Sequence, residues 1–214
     1  MNITIAIADD HPMIIGGLRN MLSVYPHIEL IAAFADGAAL VAGMETQLPD
    51  VLLLDIHLPD KTGDALTPLL LKKHPGLKIL ALTNIDSTLY VHNMLRLGAM
   101  GYLLKNTDPS MVIQAIETVH KGAQFIDPSL SNKLAQFTSR AKKGANMKPS
   151  LTVREKEILR LTVHGDTIQE ISSKLFIGLR TVEYYRSNLF LKLDVKNMAS
   201  LIRKTIELGI LEEW

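Results

Sequence analysis

The chain has 214 residues, and its 23 Lys and Arg residues outnumber its 22 Asp and Glu residues by one, which gives a net charge of +1. Hydrophobic residues make up 47% of the chain and charged residues 21%, a composition that excludes disordered, collagenous and coiled-coil proteins. Because the chain has no cysteine, disulfide frameworks, thiolate zinc sites and cysteine nucleophiles are excluded as well.

The charge is unevenly distributed along the chain, which predicts two domains. Residues 1–120 have a net charge of −5, residues 121–150 of +5 and residues 151–214 of +1. We expect a domain over 1–121, a linker with a short helix over 122–148 and a second domain over 149–214. The N-terminus lacks a signal-peptide pattern, and no apolar run approaches the ~20 residues of a membrane span. The sequence therefore predicts a cytoplasmic protein with no membrane partner.

The first 120 residues alternate between two hydrophobic periodicities. Short, almost continuously apolar runs predict strands that are buried on both faces, at Ile3–Ala8, Ile28–Phe34, Val51–Leu54, Lys78–Thr83 and Gly101–Leu104. The stretches between them have helical spacing, at about 12–24, 37–47, 63–74, 87–98 and 108–120. This alternation predicts a five-stranded parallel α/β sheet with helices on both faces, and a flavodoxin-like strand order is among the few topologies allowed.

The rest of the chain predicts a linker followed by an all-α domain. Asp127 to Ser129 can start a short helix, and the small, basic residues 138–146 are typical of a linker. Thr152 and Glu155 have the spacing of a capping box. Two helices, at about Thr167–Lys174 and from Leu179, predict a helix-turn-helix, and a last helix is expected at about Asn197–Leu208.

Polar residues occupy the carboxyl ends of four predicted strands. Asp9 and Asp10 follow the first strand, Asp55 the third and Lys105 the fifth, and Thr83 ends the fourth. Ligands bind at this edge of an open α/β sheet, and converging carboxylates need a hard cation such as Mg²⁺. A carboxylate can attack phosphorus and form an acyl phosphate, with the metal and lysine stabilising the transferring oxygens. Asp55 is the best nucleophile because it lies on the central strand.

Each of these patterns also has a simpler interpretation. A single aspartate at a strand end is more often a turn former or a helix cap than a catalytic group. Helix-turn-helix spacing occurs in many helical pairs, so a protein-interaction bundle is the alternative for the second domain. The polar residues at four strand ends, taken together, favour a site for phosphoryl transfer in the first domain.

The segments IADDHP, LLLDIHLPDKTG, ALTN and GAMGYLLKN resemble the receiver domain of two-component response regulators, over residues 1–120. The resemblance implies that Asp55 accepts a phosphoryl group from a sensor histidine kinase, with Lys105 beside it. It implies Mg²⁺ as cofactor, bound by Asp9, Asp10, Asp55 and the backbone carbonyl of His57. It also makes Thr83 and Tyr102 the pair of residues that switch the receiver's state.

The segments LTVREKEILRL and IQEISSKLFIGLRTVEYYRSNLFLKLDVKN resemble the LuxR-type DNA-binding domain, over residues 150–212. Together with the receiver, this is the architecture of the NarL/FixJ branch. The resemblance implies DNA contacts by Arg180, Thr181, Glu183, Tyr184, Arg186, Ser187, Lys192 and Lys196. Of these, Glu183, Tyr184 and Ser187 are expected at base edges. Typical members have a lysine at the position of Glu183, and a glutamate there can accept a hydrogen bond from a cytosine amine.

We therefore expect a transcription factor controlled by phosphorylation, which binds double-stranded DNA as a homodimer when active and is not an enzyme beyond its own phosphoryl transfer. A haloacid-dehalogenase-like phosphatase would need an aspartate two residues after the nucleophile, where this chain has His57. The remaining alternative is a DNA-binding or dimerisation module that works without phosphorylation.

Overall fold

The computed structural model describes residues 2–131, 134 and 151–210. The chain divides into two compact units, one within Met1–Phe137 and the other within Thr138–Trp214. Most of the predicted linker over 122–148 lies outside the described residues, although residues 128–131 are helical. The three domain boundaries stay predictions. No helix among the described residues has the length and apolar character to cross a membrane.

The first unit is built on a parallel sheet. Its strands are β1 (Ile3–Ala8), β2 (Ile28–Phe34), β3 (Val51–Leu54), β4 (Lys78–Thr83), β5 (Gly101–Leu104) and β6 (Phe125–Ile126). They lie in the order β2-β1-β3-β4-β5-β6, and all neighbours pair in parallel. The predicted bounds of the first five strands are confirmed because these runs are buried on both sheet faces, which leaves a continuous apolar signal.

The prediction of five strands is wrong, because a sixth strand extends the edge of the sheet. Phe125 pairs with Gly101 and Ile126 with Tyr102. The strand has two residues and both are only partly buried. A segment this short carries no periodicity, so it could not be separated from the linker by pattern alone.

Helices cover both faces of the sheet, as predicted. They are α1 (Pro12–Leu22), α2 (Gly37–Gly43), α3 (Gly63–Lys73), α4 (Thr88–Arg96) and α5 (Pro109–His120). Residues of α1 and α5, among them Leu18 and Ile116, form one core cluster with Leu53 and Leu80 of the central strands. Helix α2 ends before the predicted residue 47, because the chain tightens into i→i−3 hydrogen bonds there, from Glu45 N to Ala42 O at 3.2 Å and from Thr46 N to Gly43 O at 3.0 Å.

The second unit contains helices and connecting turns, with no strand, over its described residues 151–210. Its helices are α6 (Val153–Val163), α7 (Ile168–Leu175), α8 (Leu179–Lys192) and α9 (Met198–Glu207). Ile158, Ile171, Val182 and Leu201 contribute one buried side chain from each helix to a shared core. Helices α7 and α8 form the predicted helix-turn-helix, in which Phe176 takes a left-handed conformation (φ 53°) and ends α7.

Glu155 ties two ends of this unit together. Its carboxylate accepts from the Thr152 backbone N–H at 2.8 Å, and the predicted capping box is present. The same oxygen lies 2.7 Å from the Lys192 ammonium at the end of α8. Because the Glu155 residue is only 4% exposed, this pair couples the start of α6 to the end of α8 through a buried charge.

Asp127 anchors the sixth strand to the fifth. Its carboxylate accepts from the Ser129 hydroxyl at 2.7 Å, from the Leu104 N–H at 3.3 Å and from the Thr107 hydroxyl. Burial alone would raise the pKa of Asp127, but these hydrogen bonds outweigh it and the pKa lies below its ordinary value. The ionised form therefore stabilises the fold.

We expect Asp127→Asn to lower the free energy of unfolding by about 1–3 kcal/mol at pH 7, because it removes hydrogen bonds to a buried carboxylate. The folded-state pKa lies below the unfolded one, so this stabilisation is present above the unfolded pKa and is lost as the pH falls through the folded pKa. Urea unfolding at several pH values should show the difference between variant and wild type shrinking in acid. The exposed Glu29→Gln is the matched control, and a difference independent of pH would contradict this account.

Candidate functional site

The predicted site residues meet at one edge of the sheet in the first unit. Asp9 and Asp10 follow β1, Asp55 follows β3, Thr83 ends β4 and Lys105 follows β5. Backbone hydrogen bonds continue past the strand ends: Asp55 N donates to Ala8 O, and Lys105 N donates to Thr83 O, both at 2.8 Å. The parallel sheet itself therefore brings these side chains together.

Lys105 lies between two buried carboxylates. Its ammonium nitrogen is 2.7 Å from Asp9 Oδ2 and 2.7 Å from Asp55 Oδ2. The side chains of Lys105 and Asp55 are each 4% exposed and that of Asp9 is 1% exposed. Removing one partner of such a buried group costs about 3–5 kcal/mol, because it leaves an uncompensated charge. Lys105 thus holds β1, β3 and β5 together at the site.

The His11 side chain lies against the two aspartates that follow β1. Its Nδ1 atom lies 2.9 Å from Asp9 Oδ1 and 2.9 Å from Asp10 Oδ1. Its backbone N–H also donates to Asp9 Oδ1 at 2.9 Å. The imidazole is 42% exposed, so it forms the outer rim of the pocket above the buried Asp9 carboxylate.

The donor set fits a divalent cation. Ligand atoms of Asp9, Asp10, His11 and Asp55 all lie within 4.8 Å of one another. The carboxylates of Asp9, Asp10 and Asp55 carry three negative charges, and the Lys105 ammonium that contacts two of them carries one positive charge. The carboxylates and the lysine together therefore have an excess of negative charge. Hard cations such as Mg²⁺ bind carboxylate and carbonyl oxygens and balance such a charge.

The loop after Asp55 is held in place by hydrogen bonds and close packing. The His57 N–H donates to Asp55 Oδ1 at 3.2 Å, and the Asp60 carboxylate accepts from the Gly37 N–H at 2.6 Å. The bond from Gly37 is the main reason that the pKa of Asp60 lies below its ordinary value. A Cβ on Gly63 would meet the Ile56 Cα at 2.9 Å, so this loop can pack only on a glycine.

Thr83 and Tyr102 contact the same residue, Ile85, in the loop after β4. Thr83 Oγ1 accepts from the Ile85 N–H at 3.4 Å, and the Tyr102 hydroxyl donates to the Ile85 carbonyl at 2.8 Å. Thr83 is 1% exposed and Tyr102 is fully buried. One loop residue, Ile85, therefore contacts both the hydroxyl at the end of β4 and the buried Tyr102 side chain.

The second predicted site lies on α8. Val182, Asn188 and Leu189 are buried in the core, which turns the other face of the helix outward. Arg180, Thr181 and Glu183 are exposed, and Tyr184, Arg186 and Ser187 are partly exposed. Burial lowers the pKa of Arg186 from its ordinary value, and the nearby Glu183 carboxylate acts in the opposite direction. The outward face therefore combines two cations with one acid.

The two lysines predicted to contact DNA have different surroundings. Lys192 is paired with the buried Glu155, as described above, and its side chain is 27% exposed. Lys196 lies on the loop before α9 and lines a polar cleft of about 340 Å³ together with Arg203 and Lys204. The predicted DNA contacts of all eight residues stay predictions.

The sequence alone did not indicate the roles of His11 and Asp60, and for Glu155 it indicated the capping box but not the contact with Lys192. His11 directly follows the two aspartates, and this adjacency was an available signal for its place in the pocket. Asp60 contacts Gly37 over 23 residues and Glu155 contacts Lys192 over 37. No local pattern identifies such distant pairs.

Comparison with protein families assigns both units. Residues 5–117 match the family described as "Response regulator receiver domain". Residues 149–205 match the family described as "Bacterial regulatory proteins, luxR family". The first match covers the sheet and the acidic pocket, and the second covers the helix-turn-helix.

Relatives and solved structures align with almost the whole chain, across both units. Oxygen regulatory protein NreC of Staphylococcus carnosus is 33% identical, over 97% of this chain and 99% of that protein. RcsB from Salmonella enterica serovar Typhimurium, solved on promoter P1flhDC with the phosphomimetic BeF3−, is 27% identical with a TM-score of 0.64, over 95% of this chain and 98% of that chain. ChrA, the response regulator of a heme-sensing two-component system, is 30% identical with a TM-score of 0.53, over 98% of each chain.

We expect Gly63→Ala to destabilise the first unit by about 1–3 kcal/mol, because its methyl group would push on the Ile56 and Asp55 backbone. Thermal unfolding measures this loss. Gly76→Ala is the matched control, since nothing lies within 4 Å of the added Cβ there. Equal stability of the two variants would show that the loop after Asp55 tolerates a shift and is not held tightly.

Proposed function

The chain belongs to the response regulators that join a receiver domain to a LuxR-family regulatory domain, and we propose that Asp55 is the residue that takes up the phosphoryl group. The protein is a DNA-binding transcription regulator controlled by phosphorylation. The observation that carries the proposal is the contact of Lys105 with Asp55 at 2.7 Å, at the meeting point of four strand ends. A carboxylate held beside a buried ammonium is positioned for attack on phosphorus.

The phosphodonor is the phosphohistidine of a sensor kinase. A carboxylate oxygen of Asp55 forms a bond to phosphorus, the bond between phosphorus and the histidine nitrogen breaks, and the imidazole leaves with the electron pair. Lys105 already contacts Asp55 and can pair with a phosphoryl oxygen once the group arrives. The protein thereby catalyses its own phosphorylation and dephosphorylation and is not an enzyme towards other substrates.

Mg²⁺ is the proposed cofactor, held by Asp9, Asp10, Asp55 and the backbone carbonyl of His57. When bound, it supplies positive charge that stabilises the transferring oxygens. The hydrogen bonds of the His57 N–H to Asp55 and of Asp60 to α2 support this assignment, because they fix the loop that carries the His57 carbonyl.

Thr83 and Tyr102 form the proposed switch. A phosphoryl group on Asp55 adds acceptor oxygens that can draw the Thr83 hydroxyl toward them. Thr83 Oγ1 would then release the Ile85 N–H, and the loop that the Tyr102 hydroxyl contacts would move. Phosphorylation in this way favours one of two receiver states, which is a population shift.

Helix α8 is the proposed recognition helix for double-stranded DNA in the major groove. Arg180, Arg186, Lys192 and Lys196 are assigned to phosphates, and Thr181, Glu183, Tyr184 and Ser187 to base edges or adjacent backbone. Because residues 151–214 have a net charge of only +1, one copy attracts DNA weakly. A homodimer formed on phosphorylation doubles the contacts with DNA phosphates. The proposed location of the protein is the cytoplasm.

Incubation with Mg²⁺ and either acetyl phosphate or a phosphorylated sensor kinase should add one phosphoryl group to the wild type. The intact mass of the protein measures this gain. Asp55→Asn should gain nothing, because an amide oxygen is too weak a nucleophile. Phosphorylation of Asp55→Asn to the wild-type level would contradict the assignment of Asp55.

Glu183 is expected to favour cytosine within the binding site. Its carboxylate lies on the exposed face of α8 and repels phosphates, so it stabilises the complex only where a base amine donates to it. Selection from a random DNA library should show a preferred cytosine that Glu183→Lys loses, with a discrimination of about 1–3 kcal/mol at that position. Glu207→Lys, on α9, is the matched charge control. An unchanged base preference in Glu183→Lys would contradict this role.

A further inference from the structure

The acidic pocket contains a nitrogen donor as well as oxygen donors. His11 Nδ1 is 2.9 Å from one oxygen of Asp9 and 2.9 Å from one oxygen of Asp10. The Asp55 carboxylate completes the group, whose ligand atoms lie within 4.8 Å of one another. The imidazole therefore approaches the same small volume that the three carboxylates enclose.

These separations match those of neighbouring ligands around one metal ion. Octahedral ions with bonds of ~2.1 Å place neighbouring donors about 3.0 Å apart, from the right angle between the bonds. The distances from His11 Nδ1 to an oxygen of Asp9 and to an oxygen of Asp10 are both 2.9 Å, which is close to this donor spacing. His11 Nδ1 and Asp9 Oδ1 share a hydrogen bond in this structure, and an ion bound by the imidazole and both carboxylates would take the place of that proton without a large movement of the three side chains.

We propose that His11 is a nitrogen ligand of this pocket, so that the pocket binds transition ions such as Ni²⁺, Co²⁺ or Zn²⁺ more tightly than its carboxylates alone would. The inference rests on the proposed metal site. Mg²⁺ prefers oxygen and gains little from an imidazole, whereas later first-row ions gain affinity from it. A transition ion held by His11 competes with Mg²⁺ for Asp9 and Asp10.

The position of His11 supports a ligand role of this kind. The imidazole is 42% exposed while the Asp9 side chain beneath it is 1% exposed, so an ion can enter from the solvent side. The hydrogen bond from the His11 N–H to Asp9 Oδ1 at 2.9 Å fixes the start of α1 and with it the direction of the side chain. Preorganised ligands of this type lose little conformational freedom on binding.

Isothermal titration of the full chain, prepared without a histidine tag, with Mg²⁺ and separately with Ni²⁺ tests the proposal. His11→Ala should weaken Ni²⁺ binding by about tenfold or more, the scale of metal-site substitutions, and weaken Mg²⁺ binding much less, because the oxygen ligands that Mg²⁺ prefers remain. His27→Ala is the matched control, since His27 is also partly exposed and pairs with a carboxylate, Glu117, at 2.8 Å outside the pocket. Mg²⁺ in excess should displace Ni²⁺ from the wild type.

Three results would overturn the proposal. Equal Ni²⁺ affinity of His11→Ala and wild type would show that the imidazole is not a ligand. A parallel loss of Mg²⁺ and Ni²⁺ affinity in His11→Ala would show that His11 only positions the carboxylates. A loss of Ni²⁺ binding in His27→Ala would place the ion on the protein surface. If the wild type binds neither ion, the proposed metal site itself is wrong. This outcome differs from one in which the wild type binds both ions and only the ligand role of His11 is wrong.

Discussion

The buried Lys105 ammonium is the interaction on which the receiver site depends. It lies 2.7 Å from carboxylates that follow two different strands, and all three side chains are almost completely buried. Charges in such surroundings are stable only when they are paired. The lysine compensates part of the negative charge of the pocket and leaves an excess that a cation or an incoming electrophile can balance. The same contact that holds the sheet edge together also touches Asp55, the carboxylate that we propose as phosphoacceptor.

Much of the first unit follows from local sequence. Continuous apolar runs such as Val51–Leu54 identify strands correctly because helices cover both faces of the sheet. Parallel pairing then brings Asp9, Asp55 and Lys105 to one edge, which the strand-end positions predict. The sixth strand, Phe125–Ile126, was not predictable because two partly buried residues carry no period. The end of α2 was predicted too late, since apolar spacing does not show where the helix tightens into the i→i−3 bonds of Glu45 and Thr46.

The residues that sequence could not supply are those that act over distance. Asp60 fixes the loop after Asp55 by accepting from Gly37, and Glu155 fixes α6 to α8 through Lys192. Each pair joins segments whose spacing in the chain carries no signal, and only the tertiary fold brings them together. Lys192 shows the consequence most clearly. The resemblance assigns it to DNA, while the structure gives it a buried partner within its own unit.

The two units carry separate sites, and the account requires that chemistry at Asp55 changes the binding of DNA by α8. The most direct test uses a DNA site that the full chain has selected from a random library. The affinity of the full chain for that site is measured with and without phosphorylation. The account predicts tighter binding and a homodimer on DNA for the phosphorylated wild type, and no change for Asp55→Asn under the same treatment. Equal affinity of the phosphorylated and unphosphorylated wild type would contradict it.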